Sequence, residues 1–470
     1  MDLDLTPVEV AARCRHLPGL AFFDSALPDP SGFSLIAACP DFTLEGADWD
    51  LLRRAVHERQ LPPSSDDGLP HGFAAGSVDY EGGFSFGFHR RALFFRHAEE
   101  RWYELGDMRS LLGDAPLEVP APAGSPEVSR LPEGLYFRPT IDCAAYCAMV
   151  RRAQEYIAAG DIYQVNLAHC FEADWDGDPF TFYQALRHYS PAPYGAFLAL
   201  GGRHLLSSSP ESFLKISGRS IRTRPIKGTR PRRADPHADE RSAYDLLTSQ
   251  KEVAELVMIT DLQRNDLGAI CEFGSVSVRD LLRLERYEQV FHLTSTVEGR
   301  LRSEMDHVSA LKACFPGGSI TGAPKKRACE IIAELEPRPR GAYTGAIGWF
   351  GFNGESQFNI AIRTAVAAKG KVHFHVGAGI VADSDPEREW QETLDKAAGL
   401  LLAAARLPAT ALPTPAPGAD GIHSDGPHGP HGVHGVHGVH GVHGVHGVHG
   451  VHGVHGVHGV HGVHGDTRRH

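Results

Sequence analysis

The sequence predicts an α+β protein built on antiparallel sheets, and three observations carry that expectation. Strands come as hairpins: "SFLKISGRSIRTRPI" (212–226) reads as two strands about a Ser217-Gly218-Arg219 turn. Helical patterns come in separate blocks rather than alternating one by one with strands. No GxGxxG follows a strand, so the mark of a doubly wound dinucleotide fold is missing.

Each element has its own signal. "CAAYCAMVRRAQEYIAAG" (143–160) is a helix stopped by Gly160 just past its end. "DIYQVNLAHCFEA" (161–173) is a strand. "ERSAYDLLTSQKEVAELVMITDLQRNDLG" (240–268) reads as one long helix. "YEQVFHLTSTVEGRL" (287–301) places His292, Thr294 and Thr296 on one strand face. "KVHFHVG" (371–377) does the same for His373 and His375, which read as structural. "SDPEREWQETLDKAAGLLLAAARL" (384–407) is a helix opened by Ser384, with Glu387 three residues on as in a capping box and Pro386 in the first turn.

The chain divides by composition. Residues 1–112 form an N-terminal α+β region, and the Pro/Gly-rich stretch 113–134 reads as a linker. Residues 135–405 carry the strongest patterning and form the expected catalytic domain. From 406 to 470 the chain runs into a low-complexity His-Gly-Val repeat that cannot build a core, so disorder is expected there. Such a tract can bind Zn²⁺ or Ni²⁺, or it can be a repeat expansion without a role.

With 470 residues, 42% of them hydrophobic, the chain can bury a large core. The net charge of −12 argues against a nucleic-acid binder. No apolar run is long enough to span a bilayer, and the acidic start "MDLDLTPVEV" lacks the form of a signal peptide, so a cytoplasmic protein is expected. The eight cysteines are scattered without a CxxC pair, which suits free thiols in a reducing compartment.

Two helical segments each hold a Glu-x-x-Glu pair, Glu252/Glu255 and Glu389/Glu392, with both carboxylates on one face. Glu255 and Glu392 run into apolar segments, and carboxylates beside buried turns need partners. All-oxygen ligands of this kind suit Mg²⁺. Lys396 lies four residues beyond Glu392 on the same face. Arg363, alone in the apolar strand "FNIAIRTAV", calls for a carboxylate or phosphate. The glycine turns of "PGGSITGAPKK" (316–326) and "GAGI" (377–380) can present amide N–H groups to a carboxylate. The first is no Walker loop, because Gly322 is followed by Ala-Pro-Lys. Lys227, in "TRPIKGTRPR", completes a set that implies a small polycarboxylate held through Mg²⁺.

"SSSPESF", "PIKGTRPR", "AELVMITDLQRNDLG", "FHLTSTVEG", "PGGSITGAPKKRACEII", "AYTGAIGW", "FNIAIRT" and "GAGIVADSDPEREWQETLDKA" together resemble the chorismate-utilising enzymes. The resemblance is dense from about 135 to 403. It implies two large, mainly antiparallel sheets packed as a sandwich with helices outside. Within the family, anthranilate synthases carry alanine where Lys227 stands, and the PIKGT form resembles aminodeoxychorismate synthase component I. In that group the lysine attacks C2 of chorismate with loss of the hydroxyl. Ammonia then adds at C4 and releases it. Isochorismate and salicylate synthases use a lysine where this chain has Gln164.

Carried over on matching positions, Glu211 resembles the general acid. Glu255 and Glu392 resemble direct Mg²⁺ ligands, with Glu252 and Glu389 supporting through water. His292, Ser319, Tyr343, Arg363, Gly379 and Lys396 resemble substrate contacts. The family usually has Arg where this chain has Ser212. No Gly-x-Cys-x-Gly nucleophile turn occurs, so ammonia is expected from a separate glutamine amidotransferase subunit.

Overall fold

Burial organises the molecule. Phe73–Val78 and Phe84–His89 are buried at every position, so the sheet they form is covered on both faces. The computed structural model describes residues 3–27, 32–62, 68–112, 134–287 and 290–407. The stretch 113–133 of the Pro/Gly-rich segment and the His-Gly-Val tail lie outside the described residues.

Two sheets of eleven and ten strands make the frame, and every described strand pairing is antiparallel. The first runs from Gly322–Ala323 through Gln164–Asp174, Lys371–Ile380, Thr364–Ala368, Arg203–Ser209 and Tyr194–Leu200 to N-terminal strands ending at Arg101–Leu105. The second runs from Ile226–Pro231 through Val290–Arg300, Ser220–Arg224, Ser212–Ser217, Glu355–Ile360 and Ala346–Gly351 to Phe42–Gly46. Strands from residues 1–112 thus extend both sheets rather than forming a sheet of their own.

Three apolar layers show the sandwich. Leu35, Phe94, Leu198 and Val366 of the first sheet meet Phe73, Ala75, Ile347 and Trp349 of the second. The helices Pro7–Cys14, Pro179–Tyr189 and Pro386–Ala405 cover the outer face of the first sheet. Trp49–His57, His307–Cys314 and the end of Gln250–Gly268 cover the outer face of the second. Each fully buried phenylalanine in these layers contributes about 1.5–3 kcal/mol by leaving water.

Two local expectations change. The single helix over 240–268 is two helices, Pro236–Leu247 and Gln250–Gly268. The break has a cause: the Thr248 hydroxyl donates to the Tyr244 carbonyl, and the Ser249 side chain accepts the Glu252 N–H as the cap of the second helix. The final helix is capped by Asp385, not Ser384. Pro386 fixes the first helical position, which makes the residue before it the cap. The Ser384 hydroxyl goes instead to Glu389 Oε1 at 2.8 Å.

Candidate active site

Two of the links by which the chain passes between the sheets lie side by side. Ser209 ends a strand of the first sheet and Ser212 opens one of the second, so Pro210-Glu211 is the whole of one link. Ile360 ends a strand of the second sheet and Thr364 opens one of the first, leaving 361–363 as the other. The links are tied together. The Ser209 hydroxyl donates to the Ile360 carbonyl at 2.6 Å, the Ile360 N–H to the Glu211 carbonyl at 3.1 Å, and the Ser208 N–H to the Arg363 carbonyl at 3.1 Å. Glu211 and Arg363 are therefore fixed by the sandwich itself. Arg363 takes φ = +49°, a left-handed backbone that a side-chain-bearing residue adopts at a cost.

Lys227 reaches the same place from a bulge. Lys227 pairs with Leu293 and Thr229 with His292, which leaves Gly228 as the extra residue. Gly228 has φ = +72°, and a Cβ there would meet Leu246 at 2.5 Å and Glu252 Oε2 at 3.1 Å. Only glycine lets Glu252 come so close. Lys227 Nζ lies 3.9 Å from Glu255 Oε2, and both side chains are mostly buried.

Burial lifts the Glu211 carboxyl to about 7. The Ser319 hydroxyl, the Lys227 ammonium and the Ile226 amide oppose that rise, although the hydroxyl completes no aligned hydrogen bond. A carboxyl in that range can hold and give a proton near neutrality. Ser319 comes from the short turn Gly318–Ile320, inside the glycine-rich stretch 316–326. His292 hydrogen-bonds Thr229 Oγ1 through Nδ1 at 2.9 Å. Burial and then the Arg363 charge push it down to about 4, against the Gly228 carbonyl, so it is neutral at pH 7. Burial likewise lowers Arg363, whose guanidinium has no ion pair among the described residues.

The carboxylates come together from two helices. Glu252 and Glu255 lie on Gln250–Gly268, and Glu389 and Glu392 on Pro386–Ala405. Lys251 bridges the gap, 3.6 Å from Glu389 and 3.7 Å from Glu392. Burial raises Glu255, with Lys227 and Lys251 opposing and Glu252 and Glu392 adding to it. Burial raises Glu389 too. Glu392 also feels burial, but Lys396, Lys251 and Lys227 draw it below its ordinary value. Glu389 Oε2 is buried without a hydrogen-bond partner. Among the described residues no three acidic, histidine or cysteine side chains converge into a closed metal cage. Facing pairs with an orphaned oxygen fit an open oxygen site of the Mg²⁺ kind, which keeps several waters.

Lys396 is fixed at 2.8 Å from Glu392 and donates to the Gly377 carbonyl at 2.9 Å. Tyr343 is buried, stacks on His375 with centroids 5.5 Å apart, and has its phenol raised by burial. The "GAGI" stretch is no amide nest: Gly377 to Ile380 pair in register with Ala168 to Val165. Its glycines make room instead. A Cβ on Gly379 would lie 2.4 Å from Gln164 Nε2, so Gln164 packs onto that bare backbone.

Sequence reasoning missed Lys251 and Thr229. Lys251 stands four residues before Glu255, a spacing that ordinarily marks a solvated helix face. Thr229 was inside the stretch around Lys227, but its link to His292 needs the strand pairing. A cavity lined by Asp24, Tyr194, Lys215, Arg222, Arg224 and Trp349 lies apart from this constellation. It takes up Arg222 and Arg224, which turn away from Lys227 as strand alternation expects, whereas Arg230 on the other side lies 3.9 Å from Glu252.

The chorismate binding enzyme family model matches residues 71–402. The chain belongs to that family. It is 49% identical over 269 residues to anthranilate synthase component 1 of Streptomyces coelicolor, covering 57% of this chain and 53% of that one. It is 47% identical over 251 residues to aminodeoxychorismate synthase component 1 of Salmonella typhimurium, covering 53% and 55%. The chain thus spans about half the length of the curated relatives it matches. Anthranilate synthase component I from Streptococcus pneumoniae superposes with a TM-score of 0.67 at 31% identity, covering 80% of this chain and 93% of that one. No described helix is long and apolar enough to cross a membrane.

Proposed function

We propose that this family member converts chorismate and ammonia to 4-amino-4-deoxychorismate, the reaction class of aminodeoxychorismate synthase component I. One observation carries the reading. Lys227 sits on a bulge between Glu211 and Glu255, inside the site and not on its rim. A primary amine there is a candidate nucleophile, and anthranilate synthases resemble this stretch with alanine in its place.

In the proposed steps the Lys227 amine bonds to C2 of chorismate as the C4–O bond breaks, and the C4 hydroxyl leaves as water with a proton from Glu211. Ammonia then adds at C4, and the bond to Lys227 breaks. An ammonium paired with Glu255 cannot attack, so Lys227 must first shed a proton. Arg363 and Lys396 are the candidates for binding substrate carboxylates. Gly379, Tyr343, Ser319 and His292 shape and orient the cleft. Glu255 and Glu392 would hold Mg²⁺ directly, with Glu252 and Glu389 through water. The bound ion would neutralise the carboxylates and anchor the substrate. A glutamine amidotransferase subunit is the proposed ammonia source, and a cytoplasmic heterodimer the proposed form.

A second reading, anthranilate synthase, is favoured by the 49% identity to the Streptomyces coelicolor enzyme. Mass spectrometry of the product from chorismate, Mg²⁺ and an ammonium salt separates the two. The proposal expects aminodeoxychorismate, which a lyase turns into p-aminobenzoate. Release of fluorescent anthranilate would overturn it.

A further inference from the structure

Two lysines serve the four carboxylates from the helices that carry them, and they are held differently. Lys396 makes two direct hydrogen bonds, to Glu392 and to the Gly377 carbonyl. Lys251 makes none: its ammonium stands 3.6 and 3.7 Å from Glu389 and Glu392, beyond hydrogen-bond reach, and its side chain is 52% exposed. It is held by charge alone and has solvent to retreat into. Beneath it, Glu389 is 3% exposed and its Oε2 has no partner. The ammonium does not satisfy that oxygen. A hydrated divalent cation in the same gap would.

We propose that Lys251 is a displaceable counter-ion of the divalent site, holding the two helices' carboxylates together until the cation enters and then swinging out. The proposal rests on the metal reading above. Lys251 opens the helix Gln250–Gly268 but spends its charge on the facing helix, so it acts as a bridge and not as a local helix pair. The cation then competes with Lys251, and Lys251 sets how much cation the site needs.

The test uses Mn²⁺ alone, followed by the spin-resonance signal of the free ion, with lysine acetylation read by mass spectrometry. Acetylation of Lys251 should rise as Mn²⁺ saturates, with its midpoint at the dissociation constant, while exposed Lys326 stays constant. Lys251→Gln should bind Mn²⁺ about tenfold more tightly, since the ammonium that competes with the ion for Glu389 and Glu392 is removed, and Lys251→Arg should not. Flat or falling acetylation of Lys251 while Mn²⁺ binds would overturn the displacement and leave the metal reading intact. No Mn²⁺ binding by either the unaltered protein or Lys251→Gln would overturn the metal reading and the displacement with it.

Discussion

The two ends of the candidate site are built in opposite ways. At one end four carboxylates from two helices crowd together, with Lys227, Lys251 and Lys396 among them. At the other, Arg363 is fixed by a link between the sheets, with neutral His292 beside it and no acid paired to its guanidinium among the described residues. The acidic end is assembled from side chains on two helices, and the basic end is anchored by a link between the sheets. The difference teaches a division of labour. The helices tune charge, and the sheet links fix direction, so under the proposed function a polycarboxylate would have one orientation that suits both ends.

The largest break in that comparison is Lys227→Ala. Removing the proposed nucleophile should slow the proposed aminodeoxychorismate formation by about a thousandfold or more. The Arg363 end stays whole, so substrate affinity and the circular dichroism spectrum should stay near those of the unaltered protein. Turnover within tenfold of normal would remove Lys227 from the chemistry.

Glu211→Gln comes next, with an expected loss of about a hundredfold or more. It also changes a pH profile. The Glu211 carboxyl is raised to about 7, so its proton is held below that pH and lost above it. Activity limited by this acid should fall as pH rises through about 7, and Glu211→Gln should lose that limb. A limb that survives in the variant belongs to another group.

How much of this was legible in sequence follows the same division. The carboxylate pairs could be read because helix periodicity puts three-residue spacings on one face, and Lys227 because its motif has a chemical meaning. The adjacency of Glu211 and Arg363 could not, because it arises from two sheet links some 150 residues apart, and neither link announces itself locally. Lys251 was invisible for another reason: its spacing to Glu255 fits an ordinary surface pair, while its partners Glu389 and Glu392 are on a distant helix. The break at Thr248–Ser249 was hidden because both residues are tolerated inside helices, and only their side-chain hydrogen bonds end one and start the next.

Arg363→Met tests the basic end. If Arg363 clamps a substrate carboxylate as proposed, truncating it should cost about 2–4 kcal/mol, seen mainly as a KM raised about a hundredfold. Arg363→Lys should restore little of it, because an ammonium lacks the planar fork. A change confined to kcat would mean that Arg363 does not bind substrate in the ground state.

Gly228→Ala sharpens the boundary between the ends. The positive φ and the 2.5 Å approach to Leu246 should lower stability by about 1–3 kcal/mol, read as a lower melting temperature. The added methyl also pushes on Glu252, so activity should fall more than stability alone explains. An unchanged melting temperature would show that the bulge yields easily.

The smallest effect expected is at Thr229, which acts through His292 and touches the chemistry only by positioning it. Burial leaves His292 neutral at working pH, so its orientation depends on neutral hydrogen bonds. Thr229 supplies one, at 2.9 Å to Nδ1. Losing a neutral hydrogen bond costs about 1 kcal/mol, or about fivefold in rate. Thr229→Val keeps the shape and removes the hydroxyl, so it should show that loss in kcat at an unchanged melting temperature. Thr229→Ser keeps the hydroxyl and should recover most of the rate. If serine and valine behave alike, the side chain matters for packing on the bulge and His292 needs no partner there.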